Sequence, residues 1–260
     1  MTYANIEYSV TDGVAVVTLN RPDTLNSFTS EMHAEMRAAL EAARIDAAVR
    51  CLVIAANGRG FCAGQDLAEV AGSTDADLGI AVETRWNPLI RAIMTLPKPV
   101  ICAVNGVAAG AGASIALACD IVIAARSASF VQAFARIGLI PDSGGTWNLP
   151  RAVGLPRAKG LALLGDKLTA ERAETWGMIW QCVDDATLLD EVMKLARHVA
   201  TQPTAGLAQI KRLLQESSAN PLHQQLQLEL DTMRVLGRSH DYREGVAAFL
   251  AKRKPQFTGE

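Results

Sequence analysis

The stretch Pro99-Val100-Ile101-Cys102-Ala103-Val104-Asn105-Gly106-Val107-Ala108-Ala109-Gly110-Ala111-Gly112-Ala113-Ser114-Ile115-Ala116-Leu117-Ala118 decides what kind of protein this is. It is the longest apolar stretch of the chain, and a membrane span needs about twenty such residues. Pro99, Asn105, Gly106, Gly110, Gly112 and Ser114 interrupt it, however, and Asp120 follows it. A buried strand over Val100–Val104, a turn at Asn105-Gly106 and a helix over Gly110–Ala118 explain the same residues without a bilayer. The opening Gly110-x-Gly112 also invites a dinucleotide-binding reading. The third glycine position holds Ile115, and no acidic residue ends a suitable second strand, so that reading fails. No GxxxxGK-Ser/Thr segment exists for a phosphate loop either.

On the N-terminal side, Ile6–Val10 and Val14–Leu19 read as strands of a hairpin turning at Asp12-Gly13. Ser30–Ile45 reads as a helix capped by Thr29, with Met32, Met36, Ala39, Leu40 and Ala43 as its apolar stripe. Cys51–Ala56 is a buried strand, followed by a glycine-rich loop to Asp66. Leu78–Leu96 is helical until Pro97-Lys98-Pro99. On the C-terminal side Ile121–Ala125 returns as a strand, and from about Pro156 only helices are expected. Strands alternating with helices, then helices alone, define an α/β body with a helical appendage. The expected division is a core over residues 1–195 and a helical region over residues 196–260.

Of the 260 residues, half are hydrophobic, enough to bury a large core. Lys and Arg number 25 against 27 Asp and Glu, a net charge of −2 without a basic block. Nucleic acid is therefore not an expected partner, because phosphate binding needs a concentrated positive footprint. Met1–Asn5 has neither a basic nor an apolar signal region, so no secretory leader is expected. The five cysteines (Cys51, Cys62, Cys102, Cys119, Cys182) form no CxxC pair and no metal-ligand spacing, and most sit in apolar context. A cytoplasmic location without a metal site is the expectation. His33, His198, His223 and His240 lie in or near predicted helices and read as structural or surface residues.

Three turns have the composition chemistry needs. Gly58-Arg59-Gly60-Phe61-Cys62-Ala63-Gly64-Gln65-Asp66-Leu67 and Asn105–Ser114 each join a buried strand to a helix through small residues. Such turns let backbone N–H groups approach a ligand at a helix start. Gly138-Leu139-Ile140-Pro141-Asp142-Ser143-Gly144-Gly145-Thr146 adds a carboxylate. Taken singly, the first two are ordinary connections, and Asp142 is a cap for a helix starting near Gly144.

Together the pieces resemble the crotonase (enoyl-CoA hydratase/isomerase) superfamily. The resemblance rests on Asn20-Arg21-Pro22 with Leu25-Asn26-Ser27, on Phe61–Leu67, on Lys98–Gly106 with Ala118-Cys119-Asp120, and on Gly138–Thr146 with Leu149-Pro150-Arg151. It implies a ClpP-like spiral of ββα units with a C-terminal trimerisation region, hence a homotrimer or a dimer of trimers. It implies an acyl-CoA thioester as substrate, and no cofactor beyond the coenzyme A of that substrate. By the same resemblance the backbone N–H groups of Gln65 and Ala111 form an oxyanion hole. The coenzyme runs along Leu25, Ser27, Ala63 and Asp66, and Phe249 and Lys252 help to close its site.

The family's hydratases carry two glutamates that position water, and the matching positions here are Ser114 and Phe134. Asp142 remains, where isomerase and dehalogenase members carry a catalytic Asp. Phe134, Ile137 and Trp147 are expected to form an apolar pocket that raises its pKa. Gly138–Trp147, Gly165-Asp166-Lys167-Leu168 and Trp180-Gln181 resemble the members that convert ring-1,2-epoxyphenylacetyl-CoA to oxepin-CoA in phenylacetate breakdown, whose relatives shift Δ3 double bonds to Δ2. Two alternatives stay open: another reaction of the superfamily, such as hydration or thioester hydrolysis, and a non-catalytic acyl-CoA- or RNA-binding module. Arg136 either faces the site or pairs with a surface acid. Glu69 is a candidate lining residue, as is the loop Gly72–Trp86.

Overall fold

The computed structural model describes residues 3–70 and 77–260. Residues 72–76 of the expected acyl-pocket loop lie outside the described residues. The hairpin is present as β1 (Ile6–Thr11) and β2 (Val14–Leu19), antiparallel, with Asp12 and Gly13 both at positive φ. Helix α1 (Ser30–Ile45) is capped by Thr29, whose hydroxyl accepts the Met32 N–H at 3.2 Å. Its stripe of Met32, Met36, Ala39, Leu40 and Ala43 is buried. At its other end the buried Lys98 ammonium donates to the carbonyls of Ala43 (2.6 Å) and Asp46 (2.7 Å). A cation there satisfies carbonyls the helix leaves open and opposes its dipole.

The body repeats one unit three times. β3 (Cys51–Ala56), β5 (Val100–Val104) and β7 (Ile121–Ala125) belong to a six-stranded sheet with β1, β2 and, at the far edge, β10 (Gln181–Val183), ordered β1-β2-β3-β5-β7-β10. Each is followed by a three-residue strand, β4 (Gly60–Cys62), β6 (Val107–Ala109) or β8 (Ser129–Val131), in a second sheet that β9 (Lys167–Thr169) completes in the order β4-β6-β8-β9. Helices follow each pair. The first unit has α2 (Leu67–Val70), α3 (Leu78–Ala81), a π-helical turn (Val82–Trp86) and α4 (Asn87–Thr95). The second has α5 (Ala111–Ala118); the third has α6 (Gly145–Val153) and α7 (Leu155–Leu164). A chain that steps from one sheet to the other and returns through helices winds as a spiral, as the resemblance implies.

The expectation of helices alone after Pro156 is corrected by two short strands. β9 (Lys167–Thr169) adds antiparallel to β8, and β10 (Gln181–Val183) adds parallel to β7, with α8 (Ala170–Thr175) between them. The expected division after residue 195 falls inside α9 (Leu188–Ala200), whose Leu188, Val192, Ala196 and Ala200 are buried in the main core. The sheet body therefore runs to Ala200. Beyond it come α10 (Thr204–Ser217), α11 (Leu222–Leu236) and α12 (His240–Leu250). No helix among the described residues is long and apolar enough to cross a membrane.

One contact fixes the spacing of successive turns. A Cβ on Gly112 of α5 would lie 2.2 Å from the Cys62 carbonyl oxygen, so helix and strand pack at a distance only glycine permits.

Candidate active site

β4, β6 and β8 are neighbouring parallel strands, so the loops leaving their C-terminal ends emerge on one side. Those loops are the three turns singled out in the sequence. After β4, Gly64 (φ 91°) turns the chain; its carbonyl accepts the Phe28 N–H at 2.8 Å, and the Asp66 N–H donates to the Phe28 carbonyl at 3.0 Å. In a trans peptide the C=O and the next N–H point to opposite sides. The Gln65 N–H therefore points away from Phe28, and among the described residues it has no acceptor. The same holds for Ala111 N–H, in the first turn of α5, where helical N–H groups have no partner within the helix. A Cβ on Gly64 would lie 3.2 Å from the Ala111 nitrogen and 3.1 Å from the Ala109 carbonyl oxygen, so the two loops touch. Two uncommitted backbone donors on touching loops have the make-up of an oxyanion hole.

The third loop brings Asp142 against α5. Its carbonyl accepts from Gly145 N–H at 2.7 Å and from the Ser114 hydroxyl at 3.2 Å, one helical turn after Ala111. The reading of Asp142 as a helix cap is corrected here. α6 starts at Gly145 with Gly144 as N-cap at φ 74°, and no side chain caps it. The carboxylate is half-buried, and among the described residues its one side-chain partner is the Ser143 hydroxyl, which donates to Oδ1 at 2.9 Å. Burial without a cation raises its pKa above the ordinary 3.8; the Ser143 bond and the residue's own N–H draw it partly back. Ser143→Ala removes that stabilisation of the carboxylate. The acid limb of the kcat/KM profile, where a base is lost by protonation, should therefore move to higher pH. A pH–rate series shows this directly, and an unmoved limb would exclude Ser143 as a tuner of Asp142.

Ser114 is fully buried, with its hydroxyl directed to the carbonyls of Asp142 and Gly110. Phe134 lies over Gly110, 3.7 Å from where a Cβ there would be. The Ser114 hydroxyl is directed to carbonyls and the Phe134 ring has no hydrogen-bonding group, so neither supplies a carboxylate to activate water. Glu69 is already engaged. Both of its oxygens accept the Ser30 N–H, at 2.9 and 3.1 Å; one also meets Gln65 Nε2 at 3.4 Å and Arg85 at 3.5 Å. Arg136 is exposed beside Gly165 and, among the described residues, has no acidic partner. The pocket expected around Asp142 is only partly present within one chain. Phe134 is buried, but Ile137 is 58% and Trp147 40% exposed, and the Trp147 ring carries the Arg151 guanidinium 3.1 Å from its centre.

Beside Gln65 the residues matched to coenzyme binding come together. The Ala63 N–H donates to the Leu25 carbonyl at 2.9 Å, and Arg21 binds both the Ser27 carbonyl and, at 2.9 Å, the Asp66 carboxylate. Among the described residues no hydrogen bond or ion pair brings Phe249 and Lys252 to them. Phe249, one residue before the end of α12, is 83% exposed, and Lys252 is exposed just beyond the helix. Ser143 and Trp86, whose indole N–H donates to Gln65 Oε1 at 3.0 Å, were not singled out from the sequence as site residues. Adjacency to Asp142 was the available signal for Ser143; Trp86 had none beyond ending the loop Gly72–Trp86.

The family model described as enoyl-CoA hydratase/isomerase matches residues 9–260, and the chain belongs to that family and has the crotonase fold. Among named relatives, 1,2-epoxyphenylacetyl-CoA isomerase of Escherichia coli K12 is 60% identical, covering 96% of this chain and 97% of that protein. The trans-2-decenoyl-acyl-carrier-protein isomerase of Streptococcus mutans is 36% identical, covering the whole of both. Among solved structures, enoyl-CoA hydratase from Bacillus anthracis superposes with a TM-score of 0.95 at 32% identity, covering 99% of this chain and 100% of that one.

Proposed function

We propose that this chain is an acyl-CoA isomerase that moves a proton through an enolate, acting on epoxyphenylacetyl-CoA, on linear 3-enoyl-CoA thioesters, or on both. One observation carries the reading: Asp142, whose backbone carbonyl accepts the Ser114 hydroxyl one helical turn after Ala111, bears a carboxylate desolvated by burial, and by the resemblance Ser114 and Phe134 stand at the positions of the hydratase glutamates. Asp142 takes the proton from Cα, and the electron pair moves onto the thioester oxygen. The N–H groups of Gln65 and Ala111 stabilise that oxygen more strongly as it becomes negative. The protonated Asp142 then returns the proton at Cγ, leaving the double bond conjugated with the thioester. A carboxylate with a raised pKa suits both halves of the transfer. Leu25, Ser27, Ala63 and Asp66 hold the coenzyme side, and Phe249 and Lys252 reach it from a neighbouring subunit.

The test is a panel of aryl-epoxide and linear 3-enoyl CoA thioesters alongside crotonyl-CoA. Isomerisation should far exceed hydration, because no pair of carboxylates holds and activates water. Hydration of crotonyl-CoA equal to isomerisation of the best substrate would refute the reading and favour a hydratase.

The assembly we propose is a homotrimer or a dimer of trimers. Leu222, Leu226 and Leu230 of α11 are 73%, 52% and 45% exposed, and Leu228 is half-buried. Alongside, a groove of about 690 Å³ is lined by Met233, Leu236, Tyr242, Val246 and Phe249. Apolar surface of this extent marks an interface. Light scattering at micromolar concentration should give three or six times the 27.7 kDa chain mass, and a monomer would exclude the assembly. The five cysteines are free thiols, which supports the proposed cytoplasmic location.

A further inference from the structure

We propose that Trp86 is a positioning residue for the Gln65 oxyanion donor, clamping the strand-like contact between Gln65 and Phe28 from which that donor projects. The inference rests on the reading that the Gln65 N–H polarises the thioester carbonyl. Trp86 is 2% exposed, and a buried indole N–H needs a partner. It finds Gln65 Oε1 at 3.0 Å, while Gln65 Nε2 donates to the Phe28 carbonyl at 3.1 Å. Only one orientation of the Gln65 amide satisfies both, since its oxygen must face the indole donor and its nitrogen the carbonyl. The same indole packs against the Phe28 ring at 5.4 Å between centroids. Trp86 thus holds both sides of the single bridge that joins Phe28 to Gln65.

The surroundings leave the indole little freedom. His33 meets its edge at 4.3 Å in a T-shaped contact and lies 4.9 Å from Phe28. Neither imidazole nitrogen is hydrogen-bonded, and burial, with Arg85 and Arg37 nearby, lowers its pKa to about 3. His33 is therefore a neutral ring at working pH and serves as packing. Trp86 ends a π-helical turn, in which the Asn87 N–H reaches back five residues to the Val82 carbonyl. Pro88 accounts for the wider turn, because its ring has no N–H and crowds the carbonyl four residues earlier. That turn sets Trp86 facing the oxyanion loop.

A donor fixed in direction before the reaction stabilises an oxyanion without reorganising, so loosening Gln65 should cost turnover more than affinity. Trp86→Phe keeps a ring and removes the N–H. Its expected effect is a fall in kcat of about tenfold, the scale of one net hydrogen bond, with KM nearly unchanged. Gln65→Met, which leaves the core intact, should match it, and the double variant should be no worse than either single one. The direct readout is the red shift of bound 3-phenylacryloyl-CoA, a conjugated thioester whose absorption moves as its carbonyl is polarised. Both variants should show a smaller shift than the unaltered enzyme. An unaltered red shift with unaltered kcat in Trp86→Phe and Gln65→Met would overturn the role of Trp86 and leave the oxyanion assignment standing. No red shift in the unaltered enzyme would overturn the assignment and the proposal together.

Discussion

Asp142→Asn is expected to reduce isomerisation by about 10²–10⁴-fold, the contribution of a positioned general acid–base, with thioester affinity close to that of the unaltered enzyme. The residues proposed to hold the coenzyme and the two proposed backbone donors are untouched by the substitution, so binding and carbonyl polarisation should persist while proton transfer fails. Stability should move the other way. Burial raises the Asp142 pKa in the folded chain, so its contribution to stability is fully present below the unfolded pKa and is lost as pH rises through the folded one. At neutral pH the charged carboxylate is therefore a cost that Asn removes, and the variant should melt no lower than the parent. A stable variant that has lost turnover marks a residue kept for function. Wild-type turnover in Asp142→Asn would leave it no catalytic role. With Cα-deuterated substrate, a single shielded carboxylate should also return part of the label to Cγ in ordinary water.

Gly64→Ala should cost about 10²–10³-fold in kcat, the range seen when one oxyanion donor is removed. The reason is twofold. Gly64 has φ 91°, a conformation that L side chains rarely adopt, and its added methyl would stand 3.1 Å from the Ala109 carbonyl oxygen and 3.2 Å from the Ala111 nitrogen. Relief requires the two donor-bearing loops to part or the Gln65 peptide to rotate, and either misdirects an N–H. Steady-state kinetics and the thermal midpoint should be measured together. A folded Gly64→Ala enzyme with wild-type kcat would contradict the placement of the oxyanion hole.

What the sequence showed, and what it hid, follows from element length. α1 ends where its stripe and the Thr29 cap place it, and β3, β5 and β7 stand where five- or six-residue apolar runs announced them. β4, β6, β8, β9 and β10 are three residues each, too short to show alternation, and they exist because a neighbouring strand is already in place. The spiral was thus legible through the resemblance and not through periodicity. Gln65 and Ala111 could be named only by matching motifs, because a free N–H leaves no mark on residue type. Asp142 was visible as a carboxylate in a glycine-rich turn, but residue type could not separate a cap from a base. The start of α6 at Gly145, with Gly144 at its N-cap and no side chain capping it, decides that the carboxylate is no cap. The Trp86 clamp depends on a π-helical turn for which Pro88 was the one trace in the sequence.

The most direct test of the central claim is deuterium uptake at Cα from heavy water by phenylacetyl-CoA, which has an acidic Cα and no double bond to move. Removal and return of that proton isolate the step assigned to Asp142 over the oxyanion hole of Gln65 and Ala111. The unaltered enzyme should label the thioester well above the uncatalysed rate, and Asp142→Asn should not. Labelling by Asp142→Asn at the rate of the unaltered enzyme would show that another group is the base.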